Sequence, residues 1–302
     1  MRPTSVIFLI VSVFLIIGGL VTSGIAKHLA VSEGITLVDE ISDEDGGYVY
    51  SYDYSRDSIG RITVAVKNTD INIIGGADKP RIELINFPEG MYEFSSSNRI
   101  LTVKNTTDFS DLSNIANLAM NFKGLRSFVS YYNIGSLPKT VNIYLCDANP
   151  IKILDAEISS GRVTLENCNI DADYNITVGE GEVTVSDTDT ASALNISIER
   201  GSATVKGCEI GKLSAKIKSG AVTAEAVFDK VSAEIESGDF RYGCYSSFGL
   251  TNMALFTGVG NITVDGVSYG GYFGNSDVPT ENIIDVDIGT GDITVNSMIP
   301  RN

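Results

Sequence analysis

The sequence predicts an all-β protein, a single-chain parallel β-solenoid of about 20 residues per turn. Three observations predict it. One glycine-marked phrase recurs along the second half of the chain, as AEISSGRVTLEN, ITVGEGEVTVSD, ISIERGSATVKG, AKIKSGAVTAEA, AEIESGDFRYGC, FTGVGNITVDG and VDIGTGDITVNS. Apolar side chains alternate on both sides of each glycine, which is the period of a strand rather than a helix. The 302 residues include 30 Gly and no Trp, with abundant Val, Ile, Thr and Ser, the composition of strands and tight turns.

Taken in order, the chain opens on an apolar segment. Residues 3–26 carry no formal charge and are centred on VIFLIVSVFLIIGGLV. At about 1.5 Å per helical residue they are long enough to cross a bilayer core. Residues 1–27 are therefore read as an uncleaved transmembrane signal anchor. The alternative is a secretory signal cleaved after Gly24-Ile25-Ala26. Either way the remainder passes through the membrane, although Arg2 against Lys27 and His28 sets the orientation poorly.

Residues 28–57 are read as an acidic stalk, with Glu33, Asp39, Glu40, Asp43, Glu44, Asp45, Asp53 and Asp57 against a single Arg56. The run DEDGG lacks the spacing and closing Glu of a calcium-binding loop, so no metal is assigned there.

Residues 58–155 form an irregular β region. In IGRITVAVKNTDINII, Ile62, Val64 and Val66 alternate, then Ile71 and Ile73, giving two strands joined through Asn68-Thr69-Asp70. Further strands are expected at Arg81–Asn86 and Arg99–Lys104 around the turn Pro88-Glu89-Gly90, and at Thr140–Cys146. Between them Leu112, Ile115, Leu118, Ala119, Phe122, Leu125 and Val129 recur every three or four residues, predicting an amphipathic helix at 110–133. Its expected job is to cover the sheet or an open end of the stack, where strand edges would otherwise be bare. A second membrane-contacting helix is the functional alternative, for which Lys123 and Arg126 supply few bases.

Residues 156–302 hold the regular repeats. The glycines Gly161, Gly181, Gly201, Gly220, Gly238, Gly260 and Gly291 lie 20, 20, 19, 18, 22 and 31 residues apart, with SYGGYFGNSD read as a loop inserted in the last turn. Positions two and four after each glycine, and three and five before it, are apolar with the exception of Thr257, and are expected to face inward. The third position after it holds Thr164, Thr184, Thr204, Thr223, Arg241, Thr263 and Thr294. This outward column suits strand propensity better than a crystal- or sugar-binding face, since no second matched column accompanies it. The bases Arg200, Lys206, Lys212, Lys216 and Lys218 are expected to pair with acids on neighbouring turns, as in Glu199–Lys218–Glu236 and Lys216–Glu234. Cys168 and Cys208 share a column two turns apart, about 9.5 Å from the strand spacing, which is too far for a disulfide.

The net charge of −16 excludes nucleic acid as a partner, because such binders need a basic face. His28 is the one histidine, at the membrane exit, so no triad or zinc site can be assembled around a histidine base in the repeats. The pairs Asp171/Asp173, Asp187/Asp189 and Asp285/Asp287 read as turn chemistry. No catalytic, cofactor-binding or metal-ligating residue is assigned, and no cofactor is expected.

The entry phrase ITVAVKNTDINIIGGAD, the strand TVNIYLC and the recurring SGRVTLEN, SGDFRYG and TGDITVNS resemble a bacterial cell-surface family of unknown function, described as adhesins with β-strand repeats. The resemblance covers residues 59–296. The chain departs from it in Cys146, where a proline often ends that strand, and in the expected 110–133 helix. The resemblance implies an outward-facing domain with no catalytic residues to carry over, and some members accompany membrane-stress regulation. The expectation is thus a non-enzymatic, single-pass plasma-membrane protein with its folded domain extracytoplasmic. It would act as an adhesion or envelope scaffold on a cell-wall polymer or another envelope protein. An envelope-stress signalling partner is the alternative, and a carbohydrate-active enzyme on a β-solenoid the second. Any specific site is expected outside the regular turns, at 110–133 or in the loop 266–282.

Overall fold

The computed structural model describes residues 40–41, 48–55, 58–87, 92–105, 137–148, 150–244, 251–275 and 282–298. These residues are all-β. The expected membrane segment at 3–26, the DEDGG run and the helix at 110–133 lie outside them, as does most of the stretch read as a stalk. Among the described residues no helix is long and apolar enough to cross a membrane.

The N-terminal part builds one end of a stack. β1 (Glu40–Ile41) and β2 (Tyr48–Asp53) pair antiparallel. β3 (Arg61–Val66) and β4 (Asp70–Ile74) form a layer whose corner contains Asn68 at φ 47°, a left-handed turn that asparagine tolerates. β5 (Arg81–Ile85), β6 (Tyr92–Ser97), β7 (Ile100–Asn105) and β8 (Thr140–Tyr144) complete this region. β7 and β8 run parallel beside β3 and β4, and β6 and β5 run antiparallel beside β7 and β8. β2 then flanks β5.

Three of these strands were not anticipated. Glu40–Ile41 and Tyr48–Asp53 fall in the stretch read as an acidic stalk, and Tyr92–Ser97 follows the expected turn directly. Tyr50 and Tyr52 pack against the core, with Tyr50 5.8 Å from Tyr92 and Tyr52 4.5 Å from Phe94 between ring centroids. Aromatic side chains from both sheets thus close this end of the stack, where a core would otherwise meet water.

The regular turns follow. β9 (Ile153–Glu166) and β10 (Asp173–Ser186) pair in parallel with a 20-residue offset, so that Gly181 faces Gly161 and Val183 faces Val163. β11 (Asp189–Ser237) continues at the same offset, with Gly201 facing Gly181, and then winds through Gly220. β12 (Phe240–Cys244) lies on Val222–Ala226. All four apolar columns flanking the glycines are buried, from Ala156, Ile158, Val163 and Leu165 through to Val286, Ile288, Ile293 and Val295. Alternation puts these side chains inward, and stacking supplies both the backbone partners and the dry interior that one turn lacks.

The corner glycines have φ between 139° and 154°, a region closed to residues with a side chain. A second constraint acts on them. A Cβ on Gly201 would stand 1.7 Å from the carbonyl oxygen of Gly181, and one on Gly220 1.5 Å from that of Gly201. The backbone of each turn therefore rests on the backbone of the last.

The C-terminal turns do not stack in chain order. β13 (Asn252–Val259) and β14 (Ile262–Val264) come next in sequence, followed by β15 (Val267–Ser268) and β16 (Tyr272–Asn275). Yet the turn that sits on β11 and β12 is made by β17 (Ile283–Thr290) and β18 (Ile293–Ser297). β13 and β14 lie on the far side of β17 and β18, also parallel. The expected inserted loop contains β16 and β15, which run antiparallel on β13 and β14 and cap the stack. The same departure occurs at the other end, where β3 and β4 stand between the β7–β8 layer and β9.

Candidate interaction surface

The outward columns show which side chains are committed to the framework. Asp155 accepts from Arg61 Nε at 2.6 Å, from Thr63 Oγ1 at 3.3 Å and from Asn175 Nδ2 at 2.9 Å, and Asn195 Nδ2 donates to Asn175 Oδ1 at 2.9 Å. On the opposite sheet Thr164 Oγ1 donates to Asn72 Oδ1, and Asn72 Nδ2 donates to Asn142 Oδ1 at 2.9 Å. The threonine column thereby continues into an amide ladder. That ladder ends at Glu83, which accepts from Tyr144 OH at 3.1 Å and pairs with Arg81 at 2.8 Å. The Arg81 guanidinium lies 3.6 Å over the Tyr144 ring. Burial and the nearby Glu83 carboxylate raise the Tyr144 pKa.

Three of the five basic side chains are absorbed in the same way, whereas the expected Glu199–Lys218–Glu236 pairing is not formed and Lys212 makes no ion pair among the described residues. Arg200 reaches Glu180 at 3.1 Å, Lys206 reaches Glu225 at 3.4 Å and Lys216 reaches Glu234 at 2.9 Å. All six side chains are well exposed, so each pair adds little stability.

The carboxylates at 171, 173, 187 and 189 hold turns, whereas Asp285 and Asp287, expected to do the same, stand on the exposed face of β17. Asp171 accepts from Ser192 Oγ at 2.6 Å, Asp173 from the Ala193 N–H at 3.2 Å, and Asp189 from the Glu209 N–H at 2.9 Å. Asp187 has φ 48°, in one column with Asn167 at φ 55° and Gly207 at φ 63°. Asp171, Asp189, Glu209 and Asp229 border a shallow groove on this return face. Among the described residues no three His, Cys, Asp or Glu side chains are arranged to hold a metal ion.

Cys146, Cys168 and Cys208 are buried free thiols. Thr188 stands between Cys168 and Cys208, and its hydroxyl oxygen accepts from the Cys168 N–H at 3.3 Å. Burial pushes the Cys168 thiol up to about 12.

What the framework leaves over is apolar and concentrated at one end. Phe256, Val259, Val267, Tyr269 and Tyr272 are 45–66% exposed, five of the nine large apolar side chains exposed among the described residues. Phe256 and Tyr272 are directly opposed on β13 and β16, and both point outward. Their neighbours Leu255 and Phe273 point inward, with Phe273 packed on the core and 4.6 Å from the Tyr269 ring. The Phe256 column continues onto Asp287 and Glu234, so an acidic strip leads up to the aromatic pair. Strand alternation thus seals the core with one set of side chains and presents the other to solvent. Clustered exposed aromatics of this kind mark contact surfaces. Part of the stretch 266–282 expected to hold a site, residues 266–275, contributes to this end.

The family model described as Toastrack DUF4097 matches residues 59–298. Among solved structures, a "putative cell adhesion protein" from Clostridium sporogenes is similar at 15% identity and a TM-score of 0.41, covering 83% of this chain and 99% of that one. A "putative lipid binding protein" from Parabacteroides distasonis is similar at 10% identity and a TM-score of 0.43, covering 85% and 98%. A "putative adhesin" from Parabacteroides merdae gives 12% identity and a TM-score of 0.38, with 85% and 98% covered. No curated protein matches the sequence.

Proposed function

The chain belongs to the Toastrack DUF4097 family, and on that premise we propose that it is a non-enzymatic, membrane-anchored β-solenoid serving as an adhesion or envelope interaction module. The anchor is the apolar segment 3–26, and the folded domain is extracytoplasmic. One observation carries the reading: the exposed aromatic end lies opposite the end at which the N-terminal strands join.

From β2 the second sheet passes through β5, β8, β4, β9, β10, two turns of β11, β12 and β18 to β14. At about 4.8 Å per step this separates the ends by roughly 50 Å. A chain held in a membrane through residues 3–26 would keep β2 near the bilayer and present Phe256 and Tyr272 away from it. Rigid stacking makes the domain a spacer, and the aromatic end its contact. Aromatic rings suit either a sugar polymer of the cell wall or the apolar patch of an envelope protein.

The test compares detergent-solubilised full-length protein with the variant Phe256→Ser/Tyr272→Ser, using isolated cell wall and crosslinking to envelope proteins. Wild type should be retained by one of the two, and the variant should lose about tenfold or more of that retention. Retention on wall supports adhesion, and a stoichiometric crosslinked protein supports a signalling partnership. Equal retention of both forms would remove the aromatic end from the account.

A further inference from the structure

The outward face of the aromatic end is laid out as a platform. Phe256 and Tyr272 face each other across β13 and β16, and the next facing pair on that side is Ala254 and Gly274. All four are exposed. Two positions on from Phe256 and Asp287 stand Gly258 and Gly289, also exposed, so small residues flank the aromatic row on both sides. Ring faces as well as ring edges are therefore open to a ligand lying along the sheet.

Gly274 sets the attitude of Tyr272. A Cβ at Gly274 would collide with the Tyr272 hydroxyl oxygen and stand 3.0 Å from its Cζ. The ring therefore leans along β16 over the bare backbone of Gly274, and it remains 66% exposed. Two carboxylates stand beside it. In register, Asp287 faces Phe256 and Asp285 faces Ala254, and both are exposed. Asp155, Asp171, Asp173 and Asp189 are committed to framework hydrogen bonds. Asp285 and Asp287 make no hydrogen bond or ion pair among the described residues. Glu234, which faces Asp287 on the next strand, is held by Lys216 at 2.9 Å.

Apolar ring faces and uncommitted acceptor oxygens thus lie side by side. A sugar ring has the complementary chemistry, an apolar C–H face to lie on an aromatic ring and hydroxyl donors at its rim for carboxylate oxygens. A polymer with anionic groups of its own is repelled by the same carboxylates and by a chain of net charge −16. A protein anchor residue wants a pocket, which flanking glycines and an alanine do not build.

Resting on the reading of the aromatic end as the domain's contact surface, we propose that Phe256, Tyr272, Asp285 and Asp287 form a glycan-binding platform whose ligand is an uncharged polysaccharide strand. Stacking on the rings carries the affinity. The two carboxylates accept hydrogen bonds from sugar hydroxyls and fix how the strand lies across the sheet.

The experiment measures retention of detergent-solubilised full-length protein on insoluble cellulose, chitin and curdlan, with alginate and pectate gels as anionic counterparts. The expected result is retention on at least one of the uncharged glycans, unchanged at high salt, and none on the anionic gels. Gly274 lies outside the left-handed region, and its clash is with the far end of a side chain. Gly274→Ala should therefore keep the wild-type urea midpoint while displacing the ring, and should lower retention about fivefold. Asp285→Ala/Asp287→Ala should lower it to a similar extent. Retention by the anionic gels, loss of retention at high salt, or equal retention of the variants and the wild type would each overturn the proposal. If no uncharged glycan retains the protein while Phe256→Ser/Tyr272→Ser still abolishes crosslinking to an envelope protein, the glycan platform falls and the contact surface stands. If neither kind of binding is found, both fall.

Discussion

Gly291 rests against Gly238 although Gly260 lies between them in sequence. The contact makes the chain's final described turn the penultimate one in space, and it hands the end position to residues 252–264. The exposed surface of Phe256 and Tyr272 follows from that exchange. Had the turns stacked in chain order, β13 would lie against Lys230–Ser237 instead of between β17 and β16, and Phe256 would not stand beside Tyr272 at the end of the stack.

The stacking order is open to a direct chemical check. Arg241→Cys/Thr294→Cys places two thiols on facing residues of adjacent strands, whereas Arg241→Cys/Thr263→Cys places them two strands apart. The first pair is within disulfide reach and the second, at roughly 9.5 Å, is not. Non-reducing peptide mass spectrometry of the folded protein should find 241–294 and no 241–263. The reverse pattern would restore chain order.

Gly201→Ala should destabilise the fold by about 3 kcal/mol or more, since it combines a forbidden φ with a Cβ pressed onto a carbonyl oxygen. The neighbouring Ser202→Ala, on the solvent side of the same corner, should stay within about 0.5 kcal/mol. Urea titrations separate the two. Similar midpoints would mean that the corner relaxes and that the glycine column is not a backbone requirement.

Asp155 joins three donors from two layers. Asp155→Ala should cost about 1 kcal/mol, since the groups it holds are only partly shielded from water. Asp155→Asn should recover part of that loss and should lose the salt dependence contributed by Arg61. Midpoint shifts at low and high salt test this. A loss on Asp155→Ala that is the same at low and high salt would assign the effect to packing alone.

Alkali should weaken the fold in a defined window. The Cys168 thiol ionises near 9.0 when unfolded and is held up at about 12 when folded. Its contribution is complete below pH 9, because both states then hold the proton. Above that the unfolded chain releases its proton first, and stability falls until the folded thiol ionises too. Burial raises Cys208, Tyr54 and Tyr174 in the same sense. Urea midpoints should therefore drop as the pH rises from about 9 to about 12. A flat profile would show that water reaches these groups.

Much of this architecture is legible in the sequence because period and burial coincide. Val163, Val183, Ala203 and Val222 recur at a fixed distance from glycine, and a side chain that recurs every 20 residues or so has one place to go. The swapped order of 252–264 and 283–297 is not legible, because both turns carry the same alternation and either fits the slot by pattern. The strand at Tyr48–Asp53 has its signal in Tyr48, Tyr50 and Tyr52, yet the surrounding acids Asp43, Glu44, Asp45 and Asp57 dominate the composition of that stretch. The aromatic surface was half visible. Tyr269 and Tyr272 stand in the stretch marked as irregular, but Phe256 reads as one more outward rung until its turn is known to be the last.

The most direct test of the functional account is proteinase shaving of intact cells, combined with N-terminal sequencing of the protein left in the membrane. The account predicts that the β domain is digested from outside, and that a membrane-held fragment retaining residues 3–26 survives. Digestion that requires opened cells would contradict it, by placing the stack and its aromatic end on the inner side.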